Sequence, residues 1–210
     1  MPLRVILADD HQIVRQGLRV LLEREGFEVA GEAANGQEAI RLAQAEGPDV
    51  AVLDLSMPQL NGPDAAREIL RTCPRTRIIL LTVHTEDHQI IAALRAGIQG
   101  YVVKTQAAED LVQAIRVVAG GRVYLSPAVS RVVVDGYLAG SDLPHDPLPP
   151  RERHALQLLA EGNTTKEIAT LLGLTVKSAE SYRARIMDKL QIHNTAGLVR
   201  YAIRRGIIEP

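Results

Sequence analysis

Residues 3–10 read LRVILADD, a short apolar run that ends in two adjacent aspartates. Val/Ile/Leu-rich runs of this length are typical of strands that are buried in a parallel sheet. Three more runs of the same kind occupy residues 50–53, 78–81 and 101–103, and helical patterns separate them. This alternation, which continues to about residue 120, predicts an α/β domain with a doubly wound parallel sheet and helices on both faces.

The predicted domain consists of five strand–helix units. Its strands are expected at residues 3–8, 28–33, 50–53, 77–82 and 100–103. Its helices are expected at residues 12–25, 36–46, 62–72, 86–96 and 107–119. Gly120-Gly121 then closes a five-stranded sheet.

Polar side chains stand where these strands stop: Asp9, Asp10, Asp54, Thr82 and Lys104. In a doubly wound sheet the carboxyl ends of neighbouring strands converge on one crevice, in which ligands bind. Three carboxylates, a hydroxyl and an ammonium are therefore predicted to meet, which is the chemistry of a metal-assisted phosphoryl site. The alternative is that each side chain is a solvated residue at the end of a strand. The joint arrangement at four strand ends favours the site.

A phosphoryl site would give each of these side chains a role. Packed carboxylates repel and raise one another's pKa, and a cation with oxygen ligands, such as Mg²⁺, removes that conflict. Asp54 is then the nucleophile that attacks phosphorus and forms an aspartyl phosphate. Lys104 neutralises the phosphoryl oxygens, and Thr82 donates a hydrogen bond to one of them. In-line phosphoryl transfer requires mainly such positioning and charge neutralisation.

Length and composition limit the class of protein. The chain has 210 residues, enough for two domains, and its 46% hydrophobic and 23% charged residues are ordinary for a folded protein. It has no stretch of the roughly 20 apolar residues that a membrane span needs, and its first residues lack the pattern of a signal peptide. The single cysteine, Cys73, excludes an internal disulfide and fits a reducing compartment. We therefore predict a cytoplasmic protein with no membrane partner.

Three regions are expected along the chain. Residues 1–125 form the α/β domain and carry 13 Lys and Arg against 16 Asp and Glu, whereas residues 148–210 carry 10 against 6. Residues 126–147 are expected to be a linker, with a helix at 126–138 capped by Ser126 and then an extended segment rich in proline, glycine and aspartate. The basic C-terminal region indicates a polyanion as its partner.

Residues 148–210 show helical periodicity. Helices are expected at residues 151–161, 165–172, 176–190 and 195–205. Thr164-x-x-Glu167 is the pattern of a capping box before the second helix, and Thr175 is placed to cap the third. Two short helices joined by a turn at Gly173 predict a helix-turn-helix, whose second helix lies in the major groove of DNA.

The polar face of the third helix and its surroundings carry the candidate DNA contacts. Basic residues are placed for phosphates: Lys166, Lys177, Arg183 and Arg185. Three further residues are placed to contact base edges: Glu180, Ser181 and Ala184. Ser178 completes the set of candidate DNA contacts. The alternative is a small helical bundle with a solvated charged face, which periodicity alone favours.

The residues at the strand ends belong to longer motifs: Asp9-Asp10, DLSMPQLNGPDAA at residues 54–66, LTVH at 81–84 and GYVVK at 100–104. Together they resemble the receiver domains of response regulators over residues 3 to about 120. The resemblance implies a flavodoxin-like fold, with Asp54 as the phosphoacceptor and a phosphohistidine on a sensor histidine kinase as the phosphoryl donor. It also implies Mg²⁺ bound by Asp10, Asp54 and the Ser56 carbonyl, with Asp9 acting largely through water. Thr82 and Tyr101 match the switch pair of the family.

Residues 148–199, LPPRERHALQLLAEGNTTKEIATLLGLTVKSAESYRARIMDKLQIHNTAGLV, resemble the DNA-binding domain of LuxR-type regulators. The whole chain is therefore similar to NarL/FixJ-type response regulators. It departs from the family at Pro149, which replaces a usual threonine and removes a hydroxyl cap worth about 1 kcal/mol. It also departs at Tyr182, where histidine is frequent, and at Asp188, which adds a negative charge near the DNA face.

These resemblances imply a two-component transcription regulator rather than an enzyme. Phosphorylation of Asp54 is expected to control sequence-specific binding to double-stranded DNA and to promote a homodimer, while the receiver catalyses only its own phosphoryl transfer and dephosphorylation. One alternative is the same architecture without control by phosphorylation. A second is a phosphatase with an aspartyl phosphate intermediate, but such enzymes commonly need a general acid two residues after the nucleophile, where this chain has Ser56.

Overall fold

The computed structural model describes residues 2–82, 90, 94, 96–104, 107–127, 129–131, 134 and 147–208. The chain divides into two compact units, an α/β unit in the N-terminal part and a helical unit in the C-terminal part.

The α/β unit is built on a parallel sheet. Its strands are β1 (Arg4–Ala8), β2 (Glu28–Ala33), β3 (Val50–Asp54), β4 (Arg77–Thr82), β5 (Gly100–Val103) and β6 (Tyr124–Leu125). Their order across the sheet is β2-β1-β3-β4-β5-β6, and every neighbouring pair is parallel. The strand order reverses between β1 and β3, the place at which doubly wound sheets bind ligands. The predicted parallel α/β fold is confirmed.

Helices separate these strands. They are α1 (Gln12–Arg24), α2 (Gly36–Glu46), α3 (Gly62–Thr72) and α4 (Ala107–Ala119). Asn35 and Asn61 begin α2 and α3 with side chains that accept backbone N–H groups of the first turn. All residues of β3 are buried, as expected for a central strand with helices on both faces. The predicted helix at 86–96 falls largely outside the described residues.

The sheet has one strand more than the five that the sequence predicts. The N–H of Tyr124 donates to the Gln99 carbonyl at 2.9 Å, and the N–H of Ser126 donates to the Tyr101 carbonyl at 3.0 Å. These bonds add β6 beyond β5. Two residues are too few to show a hydrophobic period, which is why the pattern does not reveal this strand.

The predicted helix that follows β6 is described only in part. Residues 127, 129–131 and 134 are helical, and residues 135–146 of the predicted linker lie outside the described residues. The buried hydroxyl of Ser126 has no hydrogen-bond partner among the described residues. Ser126 nevertheless stands at the predicted capping position, because it directly precedes the helical residues and its carbonyl accepts the N–H of Ser130 at 2.9 Å.

The helical unit contains α5 (Pro150–Ala160), α6 (Thr165–Leu172), α7 (Val176–Leu190) and α8 (Thr195–Arg204). The capping box of Thr164 and Glu167 is formed, and Thr175 accepts the N–H of Ser178. Gly173 ends α6 with a φ of 64°, a left-handed conformation that favours glycine. Pro149 begins α5 without a side-chain cap, as its lack of a hydroxyl predicts.

A hydrophobic core joins the four helices of this unit. It is formed by Leu148, Ala155, Leu156, Leu158, Leu159, Ile168, Ala169, Ala179, Ile186, Leu198, Ala202 and Ile207. The helical arrangement that periodicity predicts for the C-terminal region is thus confirmed. Among the described helices, none combines the length and the apolar character that crossing a membrane requires.

Candidate functional site

The strand register brings the predicted phosphoryl-site residues to one edge of the sheet. Asp9 follows Ala8, whose partner on β3 is the residue before Asp54, so Asp9 and Asp54 lie level with each other. Thr82 is the last residue of β4, and Lys104 directly follows β5. The carboxyl ends of four adjacent strands therefore present two carboxylates, a hydroxyl and an ammonium to the same crevice.

Lys104 joins two of the carboxylates. Its Nζ lies 2.8 Å from Oδ2 of Asp9 and 2.8 Å from Oδ1 of Asp54. The exposed fraction of the side chain is 16% for Lys104, 1% for Asp9 and 6% for Asp54. Hydrogen bonds between ionised groups are stronger than those between neutral groups, and shielding from water strengthens them further. The predicted proximity of these three residues is present.

Burial and the charges of neighbouring groups together change the pKa of two members of the pocket. Burial raises the pKa of Asp54 to about 6, with a further contribution from the charges of Asp9 and Asp10, against the opposing effect of Lys104. Burial by itself would lower the pKa of Lys104, but the hydrogen bonds and charges of Asp54 and Asp9 outweigh it and raise that pKa. Both directions agree with a buried pocket in which carboxylates outnumber cations.

Asp9 is held on all sides of its peptide and carboxylate. Its N–H donates to the Ala33 carbonyl at 3.2 Å, and its own carbonyl accepts a bond from Arg15 Nη1 at 2.5 Å. The Oδ1 atom accepts the N–H of His11 at 2.8 Å, while Oδ2 faces Lys104. The main chain and the carboxylate of Asp9 are therefore both held in place at the edge of the pocket.

The residues present fit a divalent cation. Asp9, Asp10, His11 and Asp54 each place a ligand atom within 4.8 Å of the others, with Asp10 and His11 exposed and the other two buried. Carboxylate oxygens are the ligands that Mg²⁺ prefers. Ser56 lies two residues beyond Asp54 in the following loop and is half-buried, which is compatible with a carbonyl ligand near the same place.

The residues predicted to form a switch lie on β4 and β5. The side chain of Thr82 is buried at the end of β4, and Tyr101 is fully buried within β5. Tyr101 pairs with Leu80 in the sheet, two residues before Thr82. An inward aromatic ring therefore occupies the strand next to the hydroxyl.

The helical unit presents most of its predicted DNA contacts to solvent. The exposed members of the predicted set are Lys166, Lys177, Glu180, Ser181, Arg183, Ala184 and Arg185. Ser178 is half-buried, and its N–H and hydroxyl contact Thr175 at the start of α7. Ser178 thus takes part in the helix cap, whereas the others form a polar face on α7 and α6.

Two of the basic residues have partners within the helical unit. Arg185 Nε lies 3.2 Å from Glu152, which is buried and also accepts Lys189 Nζ at 2.7 Å. Arg185 also covers the Tyr182 ring at 4.4 Å from its centroid. Arg183 donates to the Thr195 hydroxyl at 2.9 Å. These contacts hold the two side chains in place within the helical unit.

Some residues of the site are not apparent in the sequence. The sequence predicts an ordinary surface residue at position 11, yet the Nδ1 atom of His11 lies 2.9 Å from Asp10 Oδ1. Arg15 has the pattern of a solvated helix residue, and Glu152 that of a helix-capping partner. The position of His11 beside two aspartates is a signal that could have been used, whereas the roles of Arg15 and Glu152 depend on tertiary contacts.

Comparison with known proteins gives two family matches. Residues 5–116 match the response regulator receiver domain, and residues 146–202 match the bacterial regulatory proteins of the luxR family. The first match covers more than half of the chain and contains Asp9, Asp54, Thr82 and Lys104.

Similarity to individual proteins extends over nearly the whole length. The chain is 37% identical to the transcriptional regulatory protein MctR of Rhizobium johnstonii over 207 residues, which cover 98% of this chain and 95% of MctR. It is 32% identical to RcsB of Salmonella enterica serovar Typhimurium, whose structure was solved bound to promoter rprA in the presence of the phosphomimetic BeF₃⁻. The TM-score of that comparison is 0.59, and it covers 95% of this chain and 97% of the RcsB chain. The RcsB chain in a structure of two RcsB dimers bound to two parallel DNAs is also 32% identical to this chain. The TM-score is 0.60, and the comparison covers 96% of this chain and 98% of the RcsB chain.

The order of the domains, the acidic pocket at the strand ends and the helix-turn-helix agree with these matches. The chain therefore belongs to the NarL/FixJ-type response regulators, with a receiver domain followed by a LuxR-type DNA-binding domain.

Proposed function

We propose that phosphorylation of Asp54, assisted by Mg²⁺, controls the binding of this chain to DNA and thereby transcription. The observation that carries the proposal is the largely shielded ammonium of Lys104, shared at 2.8 Å between Asp9 and Asp54. A sensor histidine kinase is the proposed donor, because the chain belongs to a family that accepts phosphoryl groups from such kinases. The receiver itself catalyses only the gain and loss of its own phosphoryl group.

The chemistry proposed for Asp54 is in-line transfer. A carboxylate oxygen of Asp54 bonds to phosphorus while the bond between phosphorus and the histidine nitrogen of the kinase breaks, and the electron pair of that bond stays on the nitrogen. Lys104 moves its hydrogen bond to the phosphoryl oxygens, and Thr82 donates to one of them. Asp10, Asp54 and the Ser56 carbonyl would hold Mg²⁺, with Asp9 acting through water. The cation supplies the charge neutralisation that the carboxylates cannot.

The switch and the DNA interface complete the proposal. The burial of Tyr101 beside the strand of Thr82 supports a pair in which the hydroxyl and the ring respond together to the phosphoryl group. The exposed face of α7 supports major-groove binding, with Lys166, Lys177, Arg183 and Arg185 directed to phosphates and Glu180, Ser181 and Ala184 directed to bases. The dimers of RcsB on DNA support a homodimer that binds two half-sites. We place residues 1–125 in the receiver, 126–147 in the linker and 148–210 in the DNA-binding domain, in the cytoplasm.

Acetyl phosphate tests the phosphoryl site. Incubation of the full chain with Mg²⁺ and acetyl phosphate is expected to add one phosphoryl group to wild type and none to Asp54→Ala, as measured by intact mass. Phosphorylated wild type is then expected to bind a duplex selected from random DNA more tightly than untreated protein does. Equal DNA affinity for wild type and Asp54→Ala, with and without the donor, would favour a regulator that does not depend on phosphorylation.

The salt dependence of DNA binding distinguishes basic residues that contact DNA phosphates from basic residues that pair with carboxylates of the same domain. Lys177→Gln is expected to reduce the slope of log K against log salt by about 1, because one phosphate contact is lost. Arg185→Gln is expected to reduce the slope by less, because its guanidinium already pairs with the buried Glu152. Fluorescence anisotropy at four salt concentrations measures both slopes, with circular dichroism as the control for folding. A larger change for Arg185→Gln would contradict the assignment.

A further inference from the structure

We propose that Arg15 is a positioning residue for the acidic pocket, and that it acts by fixing the peptide between Asp9 and Asp10. This inference rests on the proposed function, since it concerns the Mg²⁺ that assists phosphorylation of Asp54. No carboxylate of the pocket contacts Arg15 directly among the described bonds, so its effect passes through the main chain of Asp9.

The side chain of Arg15 links the end of β2 to the end of β1. It leaves the first turn of α1, and its exposed fraction is only 15%. Its Nη1 donates to the Asp9 carbonyl at 2.5 Å, and its Nε donates to Glu32 Oε2 at 3.1 Å. The neighbouring residue of Glu32, Ala33, accepts the N–H of Asp9 at 3.2 Å. The main chain of Asp9 is therefore held to β2 twice, once directly and once through the guanidinium.

The orientation of the Asp9 carbonyl affects the positions of both the Asp9 and the Asp10 carboxylate. A peptide unit is planar, so a fixed carbonyl oxygen also fixes the direction of the Asp10 N–H and the start of the Asp10 backbone. Asp9 and Asp10 face the pocket from either side of this peptide, and His11 closes it with a bond to Asp9 Oδ1 at 2.8 Å. A rotation of the peptide would move both carboxylates relative to Asp54.

An arginine is suited to this task in a way that a lysine is not. The guanidinium is planar and offers several donors in fixed directions, so one side chain reaches a carboxylate with Nε and a carbonyl with Nη1 at once. An ammonium carries the same charge but concentrates its donors at one point. Arg15→Lys therefore separates the geometric role from the charge.

Charge and geometry predict opposite results at this position. A cation beside the pocket repels Mg²⁺, so loss of the charge alone would tighten Mg²⁺ binding. Loss of the positioning bond would weaken it, because the carboxylates would no longer be arranged in advance. The direction of the change in affinity identifies the role.

Arg19 provides a matched control on the next turn of the same helix. It pairs with Oε1 of the same Glu32 at 2.9 Å and with Glu23 at 2.9 Å. Its described bonds are all to these carboxylates and none is to Asp9. Arg19→Gln thus removes a similar charge and a bond to Glu32 while the Asp9 carbonyl keeps its partner.

The experiment is a titration of full-length ¹⁵N-labelled protein with MgCl₂ at constant ionic strength, followed through the amide shifts of residues 9–11 and 54–56. We expect the Mg²⁺ dissociation constant to rise about tenfold in both Arg15→Lys and Arg15→Gln, at the lower end of the effect of residues that support metal ligands. Arg19→Gln is expected to stay within about twofold of wild type, as an exposed ion pair contributes little. The dispersion of the remaining amides shows whether each variant is folded.

A kinetic measurement adds a second criterion. In the reaction with acetyl phosphate, the Arg15 variants are expected to need more Mg²⁺ for half-maximal rate, with a rate at saturating Mg²⁺ close to wild type. Wild-type Mg²⁺ affinity in both Arg15 variants would overturn the inference, and so would tighter binding by Arg15→Gln or an equal loss in Arg19→Gln. A wild-type protein that shows no Mg²⁺-dependent shifts would instead overturn the proposed function, and this inference with it.

Discussion

Replacement of Gly62 by alanine is expected to destabilise the α/β unit and to abolish phosphorylation of Asp54. Gly62 is the first residue of α3, and a Cβ atom added to it would lie 2.0 Å from the carbonyl oxygen of Asp54. The same atom would lie 3.0 Å from the Asp54 carbonyl carbon and 3.2 Å from the Leu55 Cα. These are backbone atoms at the end of β3, so no side-chain rotation relieves the contact. Either α3 or the main chain of Asp54 must move.

The expected loss is about 3 kcal/mol in the free energy of unfolding, the upper part of the usual range for overpacking, because the obstruction is rigid. Urea denaturation measures this loss, and intact mass after treatment with acetyl phosphate measures phosphorylation. Gly17→Ala is the control. Gly17 is an exposed residue of α1, and its added Cβ would meet nothing within 4 Å, so alanine should stabilise the helix by about 0.5–1 kcal/mol. A Gly62→Ala protein with wild-type stability would contradict the close approach.

The sequence predicted the α/β fold because the strands that position the site are central and buried. The apolar runs at residues 50–53 and 78–81 lie within one residue of the bounds of β3 and β4, since strands covered on both faces have no polar residues to interrupt them. β6 was missed for the opposite reason: it has two residues and lies at the edge of the sheet. Ser126 lies where this edge strand ends and the next helix begins: its N–H pairs with Tyr101 of β5, and its carbonyl accepts the N–H of Ser130.

The proximity of Asp9, Asp54 and Lys104 was predictable because strand ends of a parallel sheet converge, and this requires only the strand order. Residues that support the site were not predictable in this way. Gly62 approaches Asp54 and Arg15 approaches Asp9 through tertiary contacts for which the local pattern has no signature. Glu152 has the position of a capping residue, but Pro149 offers it no hydroxyl, and it pairs with the basic side chains of α7 instead.

Asp54→Asn is expected to make the protein more stable than wild type at neutral pH in the absence of Mg²⁺. The pKa of Asp54 is raised to about 6 in the folded protein, from an ordinary value of 3.8. Between these values the folded state holds a proton that the unfolded state has released. The free energy of unfolding of wild type therefore falls as the pH rises from about 4 to about 6, by about 3 kcal/mol in total. Asparagine does not ionise and should avoid this loss.

The measurement is urea denaturation of both proteins at several pH values between 4 and 8, in the presence of EDTA. The two curves are expected to lie close together near pH 4 and to separate as Asp54 ionises, with the variant about 2–3 kcal/mol more stable above pH 7. Lys104 keeps a partner in the variant, because Asp9 Oδ2 also lies 2.8 Å from its Nζ. Asp10→Asn is the control, because its carboxylate is exposed and a surface charge should change stability by less than about 0.5 kcal/mol.

Mg²⁺ should reduce the difference in stability between the two proteins. A ligand that binds only the folded state stabilises it in proportion to the logarithm of its concentration over the dissociation constant. Wild type should gain stability as Mg²⁺ is added at pH 7.5, and Asp54→Asn should gain much less, because one of its proposed ligands is neutral. Parallel gains in both proteins would show that Asp54 does not hold the cation. Identical pH profiles in EDTA would show that burial of this carboxylate does not oppose folding, and the negative pocket would then be stabilised by contacts other than those of Lys104.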